Sequence, residues 1–207
     1  MKARGGLWYP DDDETCWRVT EEESDLPDWI LDECARAGHG VDCVVHAGAN
    51  VGAYVRSYAS RCNEVHAFEP EARNFECLAF NCGSLENVFL YRAALGLANG
   101  RCRVEVCKEN CGASYVTLSG PPGVPMFSLD ALQIEADLIH LDVEGYELFA
   151  IQGAADLIAG RAHMIALEWR SQWSRYGQTN ADVLSLLQSL GYRERASYRH
   201  EKLFEST

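Results

Sequence analysis

Residues 41–52 read VDCVVHAGANVG: an apolar run from Val41 to Ala47, interrupted by Asp42 and His46, and then the turn Gly48-Ala49-Asn50-Val51-Gly52. The run has the length of a strand buried on both faces, and the following VGAYVRSYASR carries helical spacing. A buried strand that passes through a glycine turn into a helix is the opening of a βαβ unit. Gly48 can take backbone angles closed to other residues, and Gly52 permits tight contact of helix on strand.

Reading outward from that turn, strand and helix signals alternate. EVHAF (64–68) predicts a second strand, EARNFECLAFNC a helix with Phe75, Leu78, Ala79 and Cys82 on one side, and Val88 to Arg92 a third strand. Residues 95–128 lose helical pattern and offer short extended pieces between Gly and Pro, a small β insertion. DLIHLD then reads as strand, YELFAIQGAADLIA as helix, MIALEW as strand, and TNADVLSLLQSLG as a helix capped by Thr179 with Asp182 at its third position. YRERAS and YRHEKLFE predict a closing antiparallel pair, and DWILDECARAG a packing helix ahead of the first strand. The class is α/β, with a mostly parallel seven-stranded sheet, helices on both faces and a terminal antiparallel strand pair. Residues 26–207 are expected to form that single domain, preceded by a loosely attached acidic arm, 1–25, with runs at Asp11–Glu14 and Glu21–Glu23.

Composition narrows the function classes. A chain of 207 residues, 47% hydrophobic, suits one well-filled core. No apolar run approaches the roughly 18 residues of a membrane span, and the opening MKARGGLWYPDDDE has no signal-peptide core. A formal charge of −13, with Lys and Arg scattered, disfavours nucleic acid as partner. Nine cysteines without a Cys-x-x-Cys pair read as reduced thiols, hence a cytoplasmic protein without structural zinc.

In an open parallel sheet ligands gather at the carboxyl ends of the strands, which brings the 48–52 turn forward. Glu69 closes the second strand 21 positions after Gly48, near the interval at which an acid accepts hydrogen bonds from ribose hydroxyls. Asn50 stands where a dinucleotide fingerprint has its second glycine, so the loop suits a nucleoside without pyrophosphate. The competing reading is that the glycines only make a tight turn and Glu69 is a solvated strand end. A second group of ionisable residues, His140, Asp142 and Glu144, ends the fourth strand, with Glu168 ending the fifth. Strand alternation turns His140 and Asp142 to one side. Asp142 and Glu144 could equally cap the next helix, and His140 could be a satisfied core histidine.

Five motifs in order, HAGANVG, HAFEP, SLDAL, HLDVEGYEL and IALEW, spanning Val44 to Trp169, resemble the FkbM family of methyltransferases. The resemblance implies a Rossmann-like class I methyltransferase fold, S-adenosylmethionine as donor, and a hydroxyl acceptor on a sugar or other small molecule. It implies that Gly48, Asn50 and Gly52 touch the methionine part and Glu69 the ribose, with His46, Ala49, Pro70, Ala93 and Asp142 also at the cofactor. Two departures stand out: His46 replaces the family's usual Asp, leaving the cofactor's amino group without that acidic partner, and His140 replaces its usual Lys. A hydroxyl needs a general base, expected in the order Asp142, Glu144, His140. A hard divalent ion on Asp142, Glu144 and Glu168 is the alternative. A non-catalytic cofactor-binding or partner subunit is the main rival, and a dinucleotide oxidoreductase is disfavoured by Asn50. Trp169, Trp173, Tyr176 and Tyr115 either line an acceptor pocket or pack in the core.

Overall fold

The computed structural model describes residues 1–121 and 123–207; Pro122, inside the expected insertion, lies outside the described residues. The chain opens with the hairpin β1 (Lys2–Arg4) and β2 (Leu7–Tyr9), then α1 (Cys16–Glu22) and α2 (Leu26–Arg36). The alternating part follows as β3 (Cys43–Ala47), α3 (Ala53–Ala59), β4 (Glu64–Phe68), α4 (Ala72–Cys82) and β5 (Val88–Tyr91). Strands β6 (Ala94–Leu95), β7 (Gly100–Glu105), β8 (Tyr115–Thr117) and β9 (Val124–Phe127) form a separate four-stranded sheet. The chain then returns through α5 (Leu129–Leu132), β10 (Leu138–Leu141), α6 (Glu147–Gln152), α7 (Ala155–Gly160), β11 (Met164–Glu168), α8 (Asn180–Ser189), β12 (Tyr192–Tyr198) and β13 (Glu201–Ser206).

The main sheet has seven strands in the order β12-β13-β11-β10-β3-β4-β5. It is mixed, which corrects the expectation of a mostly parallel sheet: β10, β11, β3, β4 and β5 pair in parallel, whereas β13 runs antiparallel to both its neighbours. The cause is the short Arg199 turn, with φ 54°, which sends β13 straight back between β12 and β11. Winding runs outward from β3 to β5 and then restarts at β10 on the other side of β3, so the switch point lies between β3 and β10.

Strand alternation divides the apolar residues between two cores. Val44, Val65, Leu138, Met164 and Ala166 pack against Ile30, Cys34, Val55, Tyr58 and Leu78 of α2, α3 and α4. Val45, Ile139, Leu141, Ile165 and Leu167 pack on the other face against Leu148, Ile151, Ile158, Val183 and Leu187 of α6, α7 and α8. Thr179 makes the expected capping box with Asp182 at the start of α8. The single helix expected over 146–159 is two, because at Gly153 the backbone passes so near Gly96 that a Cβ would lie 1.9 Å from the Gly96 carbonyl oxygen. Among the described residues no helix is long and apolar enough to cross a membrane, and the nine cysteines are free thiols.

Residues 1–25 are docked, not loose. Trp8 and Asn81 exchange backbone and side-chain hydrogen bonds at 2.9 Å, and Tyr9 and Cys16 bury against Val51, Cys77 and Cys111. Asp13, fully buried, accepts from the Cys16 N–H at 3.2 Å and the Cys111 N–H at 3.1 Å, fastening the N-terminal segment to the insertion. An acidic run met in sequence looks like a solvated face; here one of its carboxylates is a structural tie.

The Gly153 contact sets a stability test. Gly153→Ala, which adds a methyl where there is no room, should destabilise the protein by about 1–3 kcal/mol in urea titration with m unchanged.

Candidate functional site

The turn after β3 is held from both sides. The Gly48 and Ala49 N–H groups both donate to the Phe68 carbonyl at 3.0 Å, and the Asn50 N–H donates to Glu69 Oε2 at 2.8 Å. Gly48 has φ 85°, and a Cβ there would lie 1.7 Å from the Asp142 carbonyl oxygen, so only glycine fits. Asn50 is also left-handed, φ 49°, a conformation Asn tolerates better than most residues. Its side-chain amide reaches up to Cys16 Sγ at 3.0 Å and accepts from Cys111 Sγ at 3.4 Å, joining the loop to the segments that cover it.

Glu69 closes directly against the loop, is buried, and lines a cavity with it. Besides Asn50, the Glu71 N–H donates to its Oε1 at 2.7 Å. Burial pushes its carboxyl up to about 8, and the two N–H donors oppose that rise. His46, Gly48, Ala49, Asn50, Pro70, Ala93 and Asp142 line the same cavity. Gly52 does not; it starts α3 and packs against Leu78 and Cys82 of α4.

At the other end of the cavity stand Asp142, Glu144 and Glu168, whose carboxylate oxygens lie within 4.8 Å of one another. Burial, then the like charges of Glu168, Glu201 and Glu144, hold Asp142 far above the usual carboxylate range. Burial and then Glu168 raise Glu144 to about 7. Burial also raises Glu168, against the pull of Arg170, whose Nε is 2.9 Å from Glu168 Oε1. Glu144 sits at φ 55° in a turn braced by Glu147, whose Oε1 accepts from the Val143 N–H at 3.1 Å and the Gly145 N–H at 3.2 Å.

The candidate residues therefore separate. Asp142, Glu144 and Glu168 converge in the cavity, but His140 does not reach it. His140 shares the face of Asp142 by alternation, yet its ring lies beneath, stacked 4.4 Å from His46. Its Nδ1 is 2.9 Å from the Tyr58 hydroxyl and its Nε2 is 3.6 Å from Glu201 Oε1. Burial lowers it to about 3, which makes it a neutral core histidine. Trp169, Trp173, Tyr176 and Tyr115 also stay out of the cavity wall, which has Tyr54 and Tyr146 instead. Glu23, Cys16, Asn110 and Cys111 line the cavity without having been singled out, because their position depends on contacts remote in sequence. Glu147 is visible as the third acid of the HLDVEGYEL motif, with no local pattern to disclose its bracing role.

The methyltransferase FkbM domain, as a family, matches residues 42–194. Among solved structures, methyltransferase FkbM from Methylobacillus flagellatus KT is similar at TM-score 0.52 and 16% identity, over 86% of this chain and 50% of that one, so the present chain spans half of its length. N-methyltransferase NodS from Bradyrhizobium japonicum WM9, in complex with S-adenosyl-l-homocysteine, is similar at TM-score 0.52 and 12% identity, over 95% and 93% of the two chains. Magnesium protoporphyrin IX methyltransferase from Synechocystis PCC 6803, with bound SAH, gives 0.51 and 14%, over 91% and 83%. At these identities the likeness is one of fold. No curated protein matches the chain.

Three raised carboxyls, Glu69, Glu144 and Glu147 at about 8, 7 and 8, fix a pH dependence. Below the unfolded value near 4.5 both states hold the protons; above it the unfolded chain releases them first, so stability falls as pH rises toward about 8 and then levels. Tm should decline from about pH 5 to about pH 8. Glu147→Gln keeps the oxygen that braces the turn and should flatten the decline, at about 2–4 °C per kcal/mol recovered; an unchanged slope would contradict the assignment.

Proposed function

This chain belongs to the FkbM methyltransferase family, and we propose that it transfers a methyl group from S-adenosylmethionine to a hydroxyl of a small molecule or carbohydrate. The observation that carries the reading is one cavity bounded by the Gly48–Gly52 turn and Glu69 at one end and by Asp142, Glu144 and Glu168 at the other.

The residues fit the adenosyl donor. The Gly48, Ala49 and Asn50 N–H groups are already donated to Phe68 and Glu69, so a pyrophosphate would find no free N–H cradle there. A phosphate-free nucleoside makes no such demand. Each Glu69 oxygen accepts one N–H and keeps a further acceptor site for ribose hydroxyls. Ala49, Pro70 and Ala93 supply small and apolar wall for the base, and His46, Gly48 and Asn50 border the amino-acid portion. Bound there, S-adenosylmethionine would supply an activated methyl group on a sulfonium centre.

The chain's own task is alignment, exclusion of water and removal of one proton. The acceptor oxygen forms its bond to the methyl carbon as the carbon–sulfur pair stays with sulfur, and the hydroxyl proton passes to a carboxylate. Of the residues expected as base, His140 is out of reach and burial with like charges holds Asp142 well above the usual carboxylate range, leaving Glu144, raised to about 7, as the acceptor of the proton at neutral pH. Asp142 then helps to seat the acceptor beside Glu144, and Glu147 keeps the Glu144 turn in place. A divalent ion on Asp142, Glu144 and Glu168 is the second reading, favoured by the approach of their oxygens.

Calorimetric titration should give binding of S-adenosylmethionine and none of NAD, with Glu69→Ala weakening the former by about 10–100-fold. Binding of NAD alone would refute the assignment. With a labelled donor, Glu144→Gln should cut kcat by about 100-fold or more and remove a rise in kcat centred near pH 7. Turnover unchanged in excess chelator is the expected result, and its loss would move the proton-transfer chemistry to a metal. Tight donor binding without transfer to any acceptor would make the protein a non-catalytic binding subunit.

A further inference from the structure

The acceptor end of the cavity has an unbalanced charge. Glu23, Asp142, Glu144 and Glu168 line it, and Arg170 is the one described cationic side chain on that wall. Arg170 is already engaged by Glu168 at 2.9 Å. The donor's sulfonium offsets one further negative charge.

Two independent features accompany the imbalance. Glu168 lies directly opposite Glu201 across the antiparallel β11–β13 ladder, and like charges so placed repel. Glu201 is only 3% exposed, and its Oε2 has no hydrogen-bond partner. His46, fully buried and on the cavity wall, likewise has an unpartnered Nε2. A neutral imidazole and a set of crowded carboxyls accept protons and cations, and they have no use for an anionic ligand.

We propose that the acceptor carries a protonated amine, in the manner of an amino sugar or amino alcohol, with its ammonium held between Glu23, Asp142 and Glu168 and its hydroxyl delivered to Glu144. This rests on the methyltransferase reading and narrows its substrate class. An ammonium has three N–H donors and a full charge, which suits three carboxylates from three separate elements. Glu23 comes from the docked N-terminal segment, where the Tyr54 hydroxyl donates to its Oε2 at 3.1 Å and leaves Oε1 for the ligand. A neutral sugar would bring these carboxyls no counter-charge beyond Arg170, and a phosphorylated one would be repelled.

The test uses the whole chain, methyl-labelled S-adenosylmethionine and a small-molecule extract separated by ion exchange at neutral pH. Label should enter the cation-exchange-retained pool, and glucosamine or ethanolamine should inhibit at least about tenfold better than glucose or ethylene glycol. Glu23→Gln, which keeps the oxygen facing Tyr54, should raise KM for the retained acceptor about tenfold with donor affinity by calorimetry unchanged. Label entering the flow-through or anion-retained pools, equal inhibition by the neutral probes, or transfer to neutral acceptors that needs added magnesium would overturn the proposal and leave the methyltransferase reading standing. Donor bound but no label in any pool would overturn both.

Discussion

The site depends on a backbone contact that no side chain can replace: Gly48 lies against the carbonyl of Asp142, with no room for a Cβ between them. The ends of β3 and β10 meet at the switch point of the sheet, and the Asp142 N–H completes the join by donating to Ala47 at 3.0 Å. That contact puts the Gly48–Gly52 turn and the carboxylate-bearing turn in one cavity at a fixed spacing. Everything else on the wall is arranged around it: Glu69 closes over Asn50 from β4, Glu168 comes up from β11, and Glu147 braces the turn from below.

The same contact has an electrostatic cost, since it crowds carboxyls into a largely buried space. Burial is the first cause of every raised acid in the group, and the like charges follow. The protein tolerates this with hydrogen bonds to backbone N–H groups at Glu69 and Glu147, and by holding protons where no N–H is available.

How much of this was legible in the sequence follows from the range of the signals. The β3–α3–β4 alternation, the capping box at Thr179 and the facing of Gly48 by Glu69 rest on short-range patterns or on spacing within one βαβ unit, and those could be read. The expected β12–β13 antiparallel pair is present, but the insertion of β13 beside β11, the break at Gly153 and the fate of His140 depend on partners far along the chain: Ala166 and Glu168, Gly96, and Tyr58 with Glu201. Alternation put His140 on the correct face of the sheet, but it cannot say how deep a side chain on that face sits. The N-terminal segment misled for the same reason, since an acidic run has one appearance whether solvated or tied down by residues 98 positions away.

That tie has a further consequence. The roof over the Gly48–Gly52 turn is fastened to the α/β body by Asp13, the Asn50 amide, the Trp8–Asn81 and Tyr54–Glu23 hydrogen bonds and a small apolar cluster of Tyr9, Cys16, Val51, Cys77 and Cys111, outside both large cores. Its detachment exposes little apolar surface compared with opening the sheet. Opening of the cavity on that side can therefore draw on one small cluster and a few hydrogen bonds, with the seven-stranded body left undisturbed.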